Sequence, residues 1–105
     1  PATRFVAQFV GAANVLEGDA ARRLTGHAGA MLRPERIRLG DAAGARAGGT
    51  VAEVQYFGAF TRLKVDVGGT PLQADLPTEP GVAPPAAGRM VHLHWDERAV
   101  HPLQP

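Results

Sequence analysis

Three histidines near the carboxyl end of the chain are the residues whose type and spacing could hold a metal ion. His92 and His94 stand two positions apart, so on a β-strand both side chains would point to the same side, and His101 follows in the tail. Imidazoles spaced in this way can bind zinc or copper. The sequence places no third ligand convincingly beside them, and the polar face of an edge strand would show the same pattern. We therefore expect no metal site here.

The other side chains that could do chemistry are few. The 105 residues include no cysteine and no serine, which excludes thiol and serine nucleophiles, disulfides and zinc–thiolate sites. The single lysine, Lys64, lies in a strand-like run and does not close a phosphate-binding glycine loop. Four carboxylates could suggest an acid–base pair, namely Asp75, Glu79, Asp96 and Glu97. Nothing in the sequence brings two of them together or buries them. We expect no catalytic residue and no cofactor bound to this chain.

Charge and aromatic content argue against a nucleic-acid partner. The chain has 11 basic and 10 acidic residues, so no broadly basic surface is implied. A small β-barrel could bind single-stranded nucleic acid by stacking its bases on aromatic side chains. The candidate residues here are Tyr56, Phe57, Phe60 and Arg62. Such binding normally needs more rings and a cationic groove, so we interpret these aromatics as core and turn-packing residues. No apolar run reaches membrane-spanning length.

Alternating apolar and polar residues from Ala28 onward predict an antiparallel β fold. The strand candidates are 29–33, 35–39, 50–57, 60–67, 70–76, 90–95 and 99–103. One apolar face per strand is typical of a small antiparallel barrel or sandwich, and it places Trp95 in the core. Apolar residues three apart within 50–57 indicate a β-bulge. Residues 57–60 and 67–70 are predicted to be tight turns, the second with positive φ at its two glycines.

The first 27 residues show a different pattern. Residues 2–10 are predicted to form a helix with an apolar face that contains Phe5 and Phe9. Asn14–Gly18 is predicted to be a short extended piece, and the next eight residues a helical turn capped by Asp19 and closed by Gly26. Two loops are predicted further along the chain, at 41–49 and at the proline-rich 77–88.

The stretch Met31–Leu39, "MLRPERIRL", combines a proline with four charged residues. Pro34 has no N–H to donate to a sheet and biases Arg33 towards extended geometry, so Arg33-Pro34-Glu35 is predicted to be a bend between strands. One reading makes this corner purely structural, with solvated charges. The other has Arg33 and Glu35 pairing with another domain or subunit.

Four motifs in this order resemble one known family. "PATRFVAQFVGAANVLEG" resembles the end of the nucleotide-binding domain of importer-type ABC transporter ATPases, and "MLRPERIRL" resembles the Arg-Pro-Glu signature of their C-terminal TOBE domain. "GTVAEVQYFGAFTRLKVDVGG" is similar to its central hairpin, and "VHLHWDERAVHPL" to its closing strand. The resemblance runs from Pro1 to about Leu103, and it is closest to the spermidine/putrescine branch.

The resemblance implies an OB-like barrel with a short N-terminal helix, in which residues 1–12 end the ATPase domain and 13–105 form the TOBE domain. It implies no catalysis in this chain, with ATP and Mg held by the upstream ATPase domain. The implied partners are a second copy, that ATPase domain and the transmembrane permease subunits, at the inner face of the cell membrane. Structural or interface roles carry over to Arg33, Pro34, Glu35, Gly58, Phe5 and Phe9.

In one segment the sequence departs from the family. The family usually has two or more strands between the "NVLEG" stretch and Arg-Pro-Glu, whereas here only "DAARRLTGHAGAM" fills that space. The first part of the barrel is therefore expected to be shortened or replaced by a helical turn.

The alternative function is a barrel that binds a small ligand or an oxyanion and acts as a sensor at a subunit interface.

Overall fold

A computed structural model describes residues 13–103, so the predicted helix over 2–10, with Phe5 and Phe9, lies outside the described part. Its elements follow in this order: β1 (Asn14–Glu17), α1 (Gly18–Thr25), β2 (Gly29–Leu32), a 3₁₀ turn (Pro34–Arg36), β3 (Arg38–Gly40), β4 (Ala47–Tyr56), β5 (Phe60–Val67), β6 (Thr70–Pro77), β7 (Met90–His94), a second 3₁₀ turn (Glu97–Ala99) and β8 (Val100–Pro102). The chain is therefore mostly β, as predicted.

The strands are hydrogen-bonded as two antiparallel sheets. A three-stranded sheet has the order β1-β2-β8, and a five-stranded sheet has the order β3-β7-β4-β5-β6. The antiparallel β fold is confirmed, but the two sheets do not close into a single hydrogen-bonded barrel. The edge strands β3 and β6 nevertheless come within 8 Å of each other, Cα to Cα, because the larger sheet is strongly curved.

The core fills the space enclosed by the two sheets and confirms the predicted strand faces. On β5, Leu63, Val65 and Val67 are buried, and Lys64 and Asp66 between them are exposed. Trp95 is 3% exposed, as expected of a core residue. Helix α1 adds Ala21 and Leu24 to the same core.

Strand β4 begins three residues earlier than predicted and contains the predicted bulge. The register against β5 shifts between Val51 and Glu53. The sequence suggested a loop through Gly49, because consecutive glycines usually mark loops. In the structure Gly49 pairs with Val91 of β7, and a Cβ at this position would collide with the carbonyl oxygen of Asp66. Glycine is needed here because two strands approach too closely for any side chain.

Other predicted boundaries are corrected by the structure. The candidate strand 35–39 is a 3₁₀ turn followed by the three-residue β3, because Pro34 starts a turn readily and cannot donate to a sheet. Asp19 does not cap α1: the cap residue is Glu17, without a side-chain bond, and Asp19 lies in the first turn. Gly26 does end the helix, at φ 82°. The predicted turn over Val67–Thr70 is confirmed, with positive φ at both glycines.

Candidate functional site

A groove opens beside the two edge strands of the larger sheet, β3 and β6. Its volume is about 460 Å³, within the range of small-molecule clefts. Its lining comes from β3, β5, β6 and the proline-rich loop, and consists of Arg38, Leu39, Thr61, Leu76, Pro77, Thr78, Glu79, Val82, Ala83, Pro84 and Pro85. No local sequence pattern indicates this groove, because it is formed by segments that are far apart in the chain.

The loop side of the groove is held in place by hydrogen bonds. The Thr78 backbone N–H donates to the Ala59 carbonyl at 3.0 Å, and its hydroxyl donates to the Gly58 carbonyl. Gly58 has φ 85°, which explains why a glycine occupies this turn. Beyond Thr78, the Val82 N–H donates to the Glu79 carbonyl and closes a turn with Gly81 at φ 79°. The loop is thus anchored to the β4–β5 turn rather than free.

The groove carries one charge of each sign. Arg38 belongs to β3, whereas Glu79 follows the end of β6. Within residues 13–103 neither side chain has an ion-pair partner. Leu39, Leu76 and Val82 also line the groove and supply apolar surface. The groove therefore combines a mostly apolar lining with one positive and one negative side chain.

The open edge of β6 is joined to β1 by one side chain. The Asn14 amide donates through Nδ2 to the Gln73 carbonyl at 2.9 Å, and its Oδ1 accepts from the Gln73 N–H at 2.7 Å. Asn14 is 6% exposed. The amide therefore occupies the place of a neighbouring strand's peptide group. Pro71 and Pro77 have no backbone N–H, so the same edge lacks two further hydrogen-bond donors. Strand addition at β6 is blocked by these three residues.

The Arg33-Pro34-Glu35 corner joins the two sheets. Pro34 is buried, whereas Arg33 and Glu35 are exposed, and the turn is closed by the Arg36 N–H donating to the Arg33 carbonyl at 3.0 Å. The turn packs against β6. The predicted bend is confirmed. The interface role of Arg33 and Glu35 stays a prediction, since neither has an ion-pair partner within the described chain.

The aromatic residues of the β4–β5 turn form a small stacked cluster. The Phe57 and Phe60 rings are 4.9 Å apart, and the Arg62 guanidinium lies 5.3 Å from the first and 5.5 Å from the second. Arg62 also makes two hydrogen bonds to Asp75, of 2.8 and 3.0 Å, and this contact raises the pKa of Arg62. Turn packing is confirmed for the two phenylalanines. Tyr56 is 73% exposed and Phe57 52% exposed, so neither is a core residue.

Three of the four carboxylates considered for acid–base catalysis are paired with different arginines. Asp75 pairs with Arg62, and Glu97 pairs with Arg46 at 3.0 Å. The hydrogen bonds from the Arg98 side chain and backbone N–H lower the pKa of Asp96 to about 2. These three carboxylates are bound by arginines.

The paired histidines lie on the outer face of β7, as predicted, but their rings point to different neighbours. His94 Nε2 is 2.8 Å from the Asp41 carbonyl oxygen, and the ring covers Gly40 on β3. The His92 ring lies beside Gly48 on β4, which is the strand on the other side of β7. His101 belongs to β8 in the smaller sheet. Across residues 13–103, no three His, Cys, Asp or Glu side chains are grouped as metal ligands.

Of the helices in the described part of the chain, none has the length and apolar character needed to cross a bilayer.

Comparison with known proteins identifies the family to which this chain is similar. A family model described as the TOBE domain matches residues 30–103. The "Uncharacterized ABC transporter ATP-binding protein YdcT" of Escherichia coli (strain K12) is 41% identical over 108 residues, covering 98% of this chain and 32% of that protein. The "Spermidine/putrescine import ATP-binding protein PotA" of Rubrobacter xylanophilus is 32% identical over 126 residues, covering 93% of this chain and 33% of the relative. A protein of the same name from Thermobifida fusca is 38% identical over 92 residues, or 62% of this chain and 24% of the relative. The chain spans about a third of the length of the first two relatives.

Proposed function

Because the chain belongs to the TOBE domain family, we propose that it is the non-catalytic regulatory and dimerisation module of the ATP-binding subunit of a bacterial ABC importer. The observation that carries this proposal is the match to proteins named ABC transporter ATP-binding proteins over nearly the whole chain. Three of the four carboxylates that could have acted in acid–base catalysis are tied into separate ion pairs, which supports a non-catalytic role.

The partners in this proposal are the ATPase domain, the permease subunits of the importer and a second copy of the subunit. ATP and Mg would be bound by the ATPase domain, and the complex would lie at the inner face of the membrane. Exposed Arg33 and Glu35 at the corner between the two sheets are the charged groups that we propose for contact with a neighbouring domain. Pro34 would fix the corner and Gly58 the turn beside the groove.

Polyamine uptake is the transport activity that we propose for the complete subunit. Two relatives are named spermidine/putrescine import ATP-binding proteins. The groove described above does not have the character of a polyamine site, because it presents one carboxylate together with one arginine. A polycation needs several carboxylates, so we place polyamine recognition elsewhere in the transporter.

Sensing of a small ligand is the second candidate function, and the groove favours it. A cleft of about 460 Å³ with an apolar floor and few polar groups is typical of small-molecule sites.

The experiment that tests the first proposal has two parts. The reading frame upstream of residue 1 should encode the phosphate-binding motif GxxxxGK[ST], because this chain has no such loop of its own. The isolated chain should show no saturable ATP binding in calorimetry at micromolar concentrations. Absence of the upstream motif, or tight ATP binding by the chain alone, would contradict the proposal.

A further inference from the structure

We propose that the open edge of β4 over residues 53–56, the edge segment, pairs with the same segment of a second copy of this chain. The two larger sheets would then join into one antiparallel sheet across a two-fold axis. This contact rests on the dimerisation role proposed above, and it names the surface that carries that role. The pairing belongs to this chain and can be measured on it alone.

The edge segment is the part of β4 that has a neighbouring strand on one side only. Strand β7 pairs with β4 as far as Thr50, whereas β5 follows β4 to Tyr56. The next residue after Thr50, Val51, is hydrogen-bonded through its N–H and its carbonyl to the loop before β7. Beyond this point, no strand among residues 13–103 pairs with the outer side of β4.

The alternation of hydrogen bonds decides which peptide groups the open side presents. The Phe57 N–H donates to the Phe60 carbonyl at 2.9 Å, which directs the peptide groups of Phe57 towards β5. In an antiparallel ladder every second residue bonds to the same neighbour, so Gln55 also bonds to β5. The N–H and carbonyl groups of Val54 and Tyr56 therefore point to the open side. In the described part of the chain these groups have no backbone partner.

The edge segment lacks the features that protect the other side of this hairpin. Strand β6 is blocked by the Asn14 amide, Pro71 and Pro77. Residues 53–56 contain no proline, glycine or lysine, and the bulge of β4 lies before them. Three of their four side chains are exposed, and Tyr56 is 73% exposed. An open edge without such protection is a pairing site for another strand.

A second copy fits this edge because the sequence is complementary to itself when Gln55 lies on the two-fold axis. Val54 then lies opposite the partner's Tyr56, so the outward N–H and carbonyl groups of both copies are all paired. An aromatic and a β-branched side chain form a favourable cross-strand pair. On the other face, Glu53 lies opposite the partner's Phe57. The two copies of Glu53 are about 14 Å apart along the strands, a distance at which salt screens their repulsion.

Amide hydrogen exchange of the full chain tests the pairing by ¹H–¹⁵N NMR at micromolar and at millimolar concentration. The interface is small, well below the roughly 1,000 Å² of stable dimers, so the pairing should form only near the higher concentration. There the Val54 and Tyr56 amides should exchange about 3- to 10-fold more slowly than in the dilute sample. The Gln55 amide is bonded to β5 and should exchange at the same rate in both samples. Removal of residues 1–11 should leave this alternating pattern in place.

Substitutions at Tyr56 separate edge pairing from other kinds of self-association. Tyr56→Lys places a cation on the edge, as natural edge strands do, and should weaken the dimer at least about 10-fold in sedimentation equilibrium. Tyr56→Phe keeps the ring and the backbone and should pair as the unaltered chain does. Val82→Lys is the matched control, because it introduces the same charge at an exposed apolar residue outside the edge segment, and it should have no effect.

The proposal is overturned if the Val54 and Tyr56 amides exchange at the same rate at both concentrations. It is also overturned if Tyr56→Lys self-associates as strongly as the unaltered chain, or no more weakly than Val82→Lys. Protection of the two amides that appears only when another protein is added would assign the edge to that protein and not to a second copy. If the edge fails these tests while the module still strengthens the dimer of the complete subunit, the proposed function stands and this surface is wrong.

Discussion

Replacing Asn14 by alanine tests the bridge between β1 and β6. The substitution removes two hydrogen bonds, of 2.9 and 2.7 Å, and leaves the N–H and the carbonyl of Gln73 without their partner. A lost bond is worth about 0.5–1.5 kcal/mol, and a stranded buried group costs about 1–3 kcal/mol. Gln73 is only half-buried, so water would partly replace the amide. We expect the free energy of unfolding to fall by about 2–4 kcal/mol.

Urea unfolding followed by Trp95 fluorescence measures this change, because the single tryptophan is buried in the core and becomes exposed on unfolding. Gln55→Ala is the matched control. It also removes a side-chain amide from a strand, but at an exposed position on β4 where the amide has no hydrogen bond within residues 13–103. This control should change stability by less than about 0.5 kcal/mol. If Asn14→Ala loses less than about 1 kcal/mol, or no more than Gln55→Ala, the Asn14 amide does not bridge the sheets.

Three further predictions follow from the core, the carboxyl end and the amino end. Trp95→Ala should lower the free energy of unfolding by about 3–5 kcal/mol, because Trp95 is a core residue. Trp95→Phe should lower it far less, because the buried Nε1 of Trp95 has no hydrogen-bond partner within the described residues. Similar losses for the two variants in urea titrations would contradict this packing. The Asp96 carboxyl should titrate near pH 2 by NMR. Because its folded pKa is lowered, the stability it contributes is fully present above the unfolded pKa of about 3.9 and is lost as pH falls through about 2. A titration midpoint near about 3.9 would show that the contacts to Arg98 do not form in solution. If the apolar residues near the amino end pair two copies, sedimentation should show self-association of the full chain at high concentration and less of it after removal of residues 1–11; two equally monomeric forms would refute this.

The parts of the fold that depend on local pattern could be predicted from the sequence. Strand β5 begins and ends where alternation begins and ends, at Phe60 and Val67, and the glycines after it take positive φ as the turn requires. The bulge in β4 was visible as a shift in apolar spacing. These features are determined by neighbouring residues, so a single sequence contains their signal.

The features that were missed depend on contacts between distant segments. Asn14 and Gln73 are 59 positions apart, and nothing near either residue indicates their pairing. Gly49 resembles a loop glycine until the close approach of Asp66 is known. The groove had no sequence signal at all, since its lining comes from β3, β5, β6 and the proline-rich loop, which come together only in the folded chain. The separation of the two sheets is likewise a property of the tertiary structure.

The dimer affinity of the complete ATP-binding subunit tests the proposed function most directly. Sedimentation equilibrium would compare the full-length protein with a version that ends before residue 13 of this chain, both without nucleotide. If this module joins two subunits, the truncated protein should dimerise at least about ten-fold more weakly, a loss of about 1.4 kcal/mol, while its ATPase domain still binds ATP. Equal dimer affinity of the two proteins would contradict the assignment of this chain as a dimerisation module.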